Sequence, residues 1–166
     1  MLRHWRFVVA IFLLIGCGSE NFTESEKDRA RLMNGFESYA SRDEVMAKLN
    51  RRDAIKSVEQ SSKHKGAQPP YEIYSARLPY EDLKEPGELL ITFFNNRLMQ
   101  MSFYPEDLDR YLAALKSSGV ELHIGSELKN GHAATWIGQD FDNKNYVGWA
   151  DDRLRAQQRR WLSRYS

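Results

Sequence analysis

The spacing of apolar positions changes period several times along the chain, and each change predicts an element. A continuous apolar run, Phe7 to Ile15, follows two basic residues, Arg3 and Arg6. It is far shorter than the roughly 20 residues a helix needs to cross about 30 Å of hydrocarbon, so it predicts no permanent span. Thr23-Glu24-Ser25-Glu26 then offers a capping box for a short helix to about Met33, with Gly35 as its stop. Only Ala30, Leu32 and Met33 furnish its apolar side, and an extended arm is the equal alternative. Phe36 and Tyr39 precede a second capping box, Ser41-Arg42-Asp43-Glu44, whose acids sit where the helix dipole favours them. Val45, Met46 and Leu49 follow at helical spacing and predict a helix from Arg42 to about Asn50.

From Ile55 the period shortens towards two, the signature of strands. Ile55 to Gln60 reads as a first strand, Ser61 to Pro70 as a loop holding Lys63-His64-Lys65-Gly66, and Tyr71 to Leu78 as a second strand. Pro79 to Gly87, acidic and rich in breakers, reads as another exposed loop. The clearest local unit is Leu89 to Phe94, then Asn95-Asn96, then Arg97 to Tyr104. Asparagine tolerates the positive φ that a two-residue turn requires, so the unit predicts a β-hairpin. Pairing Phe94 with Arg97 sets Leu90, Thr92, Met99 and Met101 on one face and Leu89, Ile91, Phe93 and Leu98 on the other. Both faces are then substantially apolar.

Pro105, Glu106 and Asp107 open the strongest helix, in which Leu108, Tyr111, Leu112 and Leu115 recur at i, i+3, i+4 and i+7 and Gly119 supplies the stop. After a polar passage from Glu121 to Gly131, two strands, Ala133 to Gln139 and Asn145 to Ala150, flank a turn at Phe141 to Lys144. A last helix begins at Asp151 or Asp152, with a narrow stripe of Leu154, Trp161 and Leu162 among Arg153, Arg155, Arg159, Arg160 and Arg164. The succession predicts an α+β fold, an antiparallel β-sheet with helices packed on one face.

The N-terminal stretch supplies the address. Basic residues, a short apolar run and then small residues around the sole cysteine, Leu14-Ile15-Gly16-Cys17, form the three-part layout of a secretory signal. Leu-Ile-Gly-Cys resembles the lipobox of bacterial lipoproteins. That resemblance implies acylation at Cys17, removal of residues 1–16, and, from Gly18 in place of aspartate, sorting to the outer membrane facing the periplasm. Several acyl chains on one residue anchor stably where a single chain binds weakly. The organisation expected is a signal peptide over 1–16, a lipidated N-terminus and tether over 17–35, and one domain over 36–166. The order of capped helix, Pro/Gly loop and Asn-turn hairpin over about 36–104 is similar to the small lipoproteins of β-lactamase-inhibitor-like fold, the SmpA/OmlA type that accompany the outer-membrane barrel-assembly machinery. A further helix and a Trp-bearing hairpin after Tyr104 depart from that pattern. The resemblance implies a fold and a binding role, and no functional residue.

Charge excludes one class of partner. The chain carries 24 basic and 23 acidic residues, and Arg3 and Arg6 leave with the signal, so a near-neutral domain lacks the strongly basic surface that nucleic acid attracts. Aromatic content of 12% argues for a packed fold. No G-x-S-x-G, H-E-x-x-H, Walker loop or G-x-G-x-x-G occurs. His64, His123 and His132 have no helical i, i+4 spacing for a metal. Asp140-Phe141-Asp142-Asn143 starts like a calcium loop, but Lys144 and Tyr146 stand where an oxygen ligand and a glycine belong. No cofactor and no metal is implied. The expected activity is non-enzymatic, a binding or accessory role towards another envelope protein. The alternative is an envelope hydrolase using Asp140, Asp142 and His132. Tyr71, Tyr74, Phe93 and Phe94 are the candidate partner-binding residues, on a sheet side opposite the helices. The Arg-rich last helix is the second candidate surface, towards lipid head groups.

Overall fold

Asn95 and Asn96 take φ values of 48° and 58°, the left-handed conformation that lets a two-residue turn match the twist of its strands. In the computed structural model, which describes residues 20–49, 58–63 and 68–166, they join β3 (Glu85–Phe94) to β4 (Arg97–Pro105), with Phe94 opposite Arg97 as the sequence predicts. Around this hairpin the chain builds a 7-stranded sheet in the order β1-β2-β3-β4-β7-β6-β5. Every neighbouring pair is antiparallel. The remaining strands are β1 (Val58–Lys63), β2 (Glu72–Asp82), β5 (Glu127–Asn130), β6 (Ala133–Gln139) and β7 (Asn145–Asp151).

The hairpin departs from simple alternation in one place. Its register shifts between Thr92 and Phe93, so Thr92 faces Gln100 while Phe93 faces Leu98, and Met99 is the extra residue of a bulge. A one-residue slip moves every later side chain to the other face. Met101, expected beside Leu90 and Thr92, therefore lies opposite Ile91 and joins Leu89, Phe93 and Leu98. The other face of the hairpin carries Leu90, Thr92, Gln100 and Ser102, a mixed surface rather than the second apolar one expected.

The expected loop from Pro79 to Gly87 is instead the end of a second hairpin. Leu83 and Lys84, at φ 50° and 67°, form its turn, and Pro79 pairs with Glu88 inside β2. Proline is tolerated there because it lies past Arg77, the last β2 residue in the described register with β1. The first strand runs through Lys63, into the expected loop, while Ile55 to Ser57 and His64 lie outside the described residues. The polar passage before Ala133 contains β5, a short exposed edge strand with Glu127 and Lys129, and charge on an edge discourages pairing with other chains.

Helix α1 (Arg42–Lys48) realises its capping box reciprocally: the Glu44 amide donates to Ser41 Oγ and the Ser41 amide to the Glu44 carboxylate. Helix α2 (Leu108–Ser117) starts at Asp107, which accepts from the Arg110 amide. Helix α3 (Asp152–Tyr165) continues directly from β7 through its cap Asp151. The α+β class with an antiparallel sheet is the one read from the sequence. On one face α1 and α2 bring Val45, Leu49, Tyr111 and Leu115 onto Tyr74, Ala76, Leu78, Leu89, Ile91, Phe93, Met101, Phe103 and Trp149. Strand alternation points Phe94 the other way, and there α3 packs Leu154 and Trp161 on it with Met99, Phe22 and Tyr39.

The stretch read as a capped helix from Thr23 to Met33 is an irregular arm with one short 3-10 turn, Met33–Gly35. Asn21 Oδ1, not Thr23, takes the local capping role by accepting from the Thr23 amide. The arm is no free tether either. Phe22, Ala30, Leu32 and Met33 are all buried, because an extended chain can send scattered apolar residues inward where a helix would need them on one stripe. Arg97 secures it: its guanidinium donates to the Phe22 carbonyl, to the Glu24 carbonyl at 2.8 Å and to Gln157 Oε1 at 3.0 Å. Helix α3 and the arm are thereby tied to the turn end of the central hairpin.

Candidate functional site: the open half of the sheet

Burial places three of the four candidate binding aromatics inside the molecule. Phe93 and Phe94 are 0% exposed and Tyr74 is 8% exposed. Phe93 and Tyr74 sit beneath α1, with their rings 5.8 Å apart. Tyr71 is half-buried and stacks on Trp161 at 4.2 Å. These four serve packing, because α1 covers Tyr74 and Phe93 on one face of the sheet and α3 covers Phe94 and Tyr71 on the other. Cys17 lies outside the described residues.

The groups of the hydrolase alternative do not converge. His132 precedes β6 and pairs with Asp28 at 3.6 Å, whereas Asp140 and Asp142 follow β6 in the β6–β7 turn. A strand of that length spans roughly 23 Å. Asp140 is occupied as a turn residue, Oδ1 accepting from the amides of Asp142 and Lys144. His123 is exposed in the loop before β5. Among the described residues no group of three or more His, Cys, Asp or Glu is placed to hold a metal.

A different surface is only partly covered. On the face away from α1 and α2, beyond the end that α3 crosses, the strands present Arg77, Leu90, Thr92, Gln100, Tyr104, Trp136 and Tyr146. Aligned pairs make this one surface: Arg77 faces Leu90, Leu90 faces Ser102, Ser102 faces Gly148, and Gly148 faces Trp136. Helix α3 reaches only its Trp136 edge, through Arg155, and Arg77, Leu90, Thr92, Gln100, Trp136 and Tyr146 are half-buried.

Its aromatic rings are held flat by glycine. Trp136 is paired with Gly148, where a Cβ would lie 2.7 Å from the indole, and Tyr146 is paired with Gly138, where a Cβ would lie 2.4 Å from the phenol ring. Any larger residue at either glycine would push the ring off the sheet, so the two hairpin strands are matched, glycine to aromatic, in both directions. Cations cap the platform. The Arg155 guanidinium sits 4.6 Å from the Trp136 ring, and the Arg77 guanidinium 4.5 Å from the Tyr104 ring. Tyr104 meets Tyr146 at 5.2 Å, and Arg77 is steadied by Glu88 at 3.1 Å. Burial pushes the Tyr104 hydroxyl above the usual phenol range, so it stays a neutral donor and acceptor. Where the face ends at Tyr104, a cavity of about 630 Å³ opens between Pro79, Glu88, Tyr104, Leu108 and Lys144.

A second polar group stands behind α3 and is structural. Asp151 is fully buried and accepts from Ser38 Oγ at 2.7 Å and from Arg153 at 2.7 Å. Burial works against its charge, but the hydrogen bonds from Arg153 and Ser38 prevail and hold the carboxyl below the usual range. Burial likewise lowers Arg97 and raises Tyr39. The Tyr39 ring lies between Arg97 at 5.6 Å and Arg153 at 5.2 Å. The cluster cross-links arm, sheet and helix.

Sequence reading missed Arg77, Tyr104, Trp136, Tyr146 and Arg155 as a set. The signal that finds Trp136 and Tyr146 is local: once the turn at Phe141 to Lys144 is read, Gln139 meets Asn145, and each glycine of the hairpin falls opposite an aromatic residue. Arg77, Tyr104 and Arg155 depend on which strands become neighbours, which no local spacing states. In comparisons with known proteins, no family model, no curated protein and no solved structure matches the chain.

Proposed function

We propose that the protein is a lipid-anchored lipoprotein of the bacterial cell envelope, in the outer membrane facing the periplasm. Its α+β domain is a non-enzymatic binding module for another envelope protein, contacted through the open half of the sheet. The address rests on the Leu14 to Cys17 lipobox behind its short apolar run. One observation carries the binding role: the Arg77–Tyr104–Tyr146 and Arg155–Trp136 stacks are preformed on a half-buried sheet face, with Tyr104 the buried ring among them. Tyrosine, tryptophan and arginine are the residues that dominate binding energy at protein interfaces, and rings already held in place lose little entropy on contact. The surrounding Thr92 and Gln100 supply polar groups for a rim. The stacks themselves draw on β2, β4, β7 and β6 and extend beyond the cavity at the Tyr104 end, which suits a folded partner better than a small molecule.

Two measurements test the two halves of this reading. Photo-crosslinking from position Leu90 or Gln100 in intact envelopes, followed by mass spectrometry, should yield an adduct with one envelope protein. The same probe on the β5 edge at Lys129 should not. Equal or absent adducts at all three positions would remove the open face as the recognition surface. Intact mass of membrane-extracted protein should show loss of residues 1–16 and gain of acyl chains, and Cys17→Ala should move the domain to soluble fractions. Wild-type protein recovered soluble with a free thiol would sink the anchor.

A further inference from the structure

The described chain begins beside α3. Glu20 pairs with Arg160 at 2.5 Å and with Arg164 at 3.5 Å. Phe22, two residues on, is buried, edge-on to Tyr165 at 6.4 Å. So Glu20, the first described residue, lies against the C-terminal half of α3. Cys17 precedes Glu20 by three positions, a reach of roughly 10 Å when fully extended. That is about one Debye length at 0.1 M salt, short enough for charges on α3 to feel a charged surface beneath Cys17.

Helix α3 is suited to such a surface. From Arg153 to Ser166 it contains five arginines and no acidic residue. Arg153 and Arg155 are engaged by Asp151 and Glu127, and Glu20 offsets part of the charge at Arg160 and Arg164. Arg159 is exposed and makes no ion pair among the described residues. Beside these cations, Leu162 and Tyr165 are 38% and 46% exposed. Arginine with a neighbouring aliphatic and a tyrosine is the composition that settles at head-group level, the cation in water and the carbon stem or ring in the boundary.

We infer that the outer surface of the C-terminal half of α3, with Arg159 facing outward and Leu162 and Arg164 on its two flanks, seats on the anionic head groups of the bilayer that holds the lipid anchor. The inference rests on the anchor at Cys17. It gives α3 a role beyond packing Trp161: two attachments instead of one stop the domain rotating about a single point and set the direction in which the open sheet face is presented.

The test uses the mature lipoprotein with Ser163→Cys carrying a nitroxide, reconstituted in vesicles of phosphatidylethanolamine with phosphatidylglycerol, or of phosphatidylcholine alone. Accessibility of the label to a water-soluble paramagnetic reagent should fall in the anionic vesicles and not in the neutral ones. A label at Lys129→Cys should be equally accessible in both. Arg159→Glu combined with Arg164→Gln should restore accessibility at Ser163 to its neutral-vesicle value, since each positive charge near an anionic surface is worth roughly a fivefold change in partition. Thermal unfolding of that variant should match wild type, because Arg159 is unpaired and glutamine can still bond Glu20. Accessibility at Ser163 that is the same in both vesicle types, or unmoved by the charge changes in a folded variant, overturns the seating. Flotation with the neutral vesicles and the acyl mass at Cys17 report on the anchor alone, so anchor and seating fail separately.

Discussion

The two faces of the same strands are built on opposite plans. On the face under α1 and α2, the inward positions at the middle of the central strands are apolar, Tyr74, Ala76, Leu78, Leu89, Ile91, Phe93, Leu98, Met101 and Phe103, all buried, with buried Asp82 at the end of β2 accepting from the Tyr111 hydroxyl. On the other, β3 and β4 alternate through Leu90, Thr92, Gln100 and Ser102, and aromatic area appears only where glycine or arginine supports it. The first plan removes surface from water and so supplies stability, at about 25 cal/mol per Å² of apolar area. The second leaves rings at the surface while denying them freedom, which adds little to folding and conserves contact area for something else. Function is therefore sought where stabilisation is weakest, not where aromatic residues are most numerous.

Five substitutions break or sharpen this contrast. Phe93→Ala on the covered face should have the largest effect, costing about 3–5 kcal/mol through lost burial and a residual cavity. Denaturant unfolding checks it, and a loss of under about 0.5 kcal/mol, the usual surface value, would show that the layer assignment is wrong. Asp151→Asn should cost about 3 kcal/mol, because Arg153 and Ser38 lose a charged acceptor and the Arg153 charge is left without its partner, while the asparagine can still cap α3. The Asp151 carboxyl lies below its ordinary value in the folded state, so its contribution is present above the unfolded carboxylate range and is lost as pH falls through the depressed folded value. Unfolding followed from neutral pH down to about 3 should show wild type converging towards the variant.

Leu112→Ala is the intermediate case. The residue packs against the core at the rim but is only half-buried, while Tyr111 and Leu115 go fully inside. A cost of about 1–1.5 kcal/mol is expected, half that of a fully buried leucine. A cost equal to that of Leu115→Ala would show that α2 sits lower on the sheet than described. The smallest stability effects belong to the open face. Gly148→Ala should lift the Trp136 ring and Tyr146→Ser should remove its neighbour, each at less than about 1 kcal/mol. Each should nonetheless abolish the crosslink from Leu90. Loss of folding in place of loss of crosslink would turn this face into core and end the contrast.

Much of the architecture was legible because it is locally encoded. The capping box at Ser41, the caps at Asp107 and Asp151 and the Asn95-Asn96 turn each satisfy backbone groups within a few residues, so spacing alone reveals them. The arm from Phe22 to Met33 was misread for the converse reason: Phe22 is buried by Trp161 and Tyr165, and its carbonyl is bound by Arg97, partners far along the chain. The candidate site failed in a similar way. Tyr74, Phe93 and Phe94 were chosen for their chemistry, but exposure depends on what lies above a side chain, and α1 and α3 lie above these.

By itself the sequence determined the three α-helices, the β3–β4 and β6–β7 hairpins, the antiparallel α+β class and the signal-like layout of the N-terminus, since capping, period and turn chemistry act over a few residues. Tertiary structure alone decided which face of each strand is covered. A bulge at Met99 turned Met101 inward, α3 crossed to bury Phe94, and the order β4-β7-β6 brought Trp136 and Tyr146 beside Tyr104 and Arg77. Period two is blind to that choice: a strand's two faces are equivalent until a second element, placed by packing energy summed over the whole core, covers one of them.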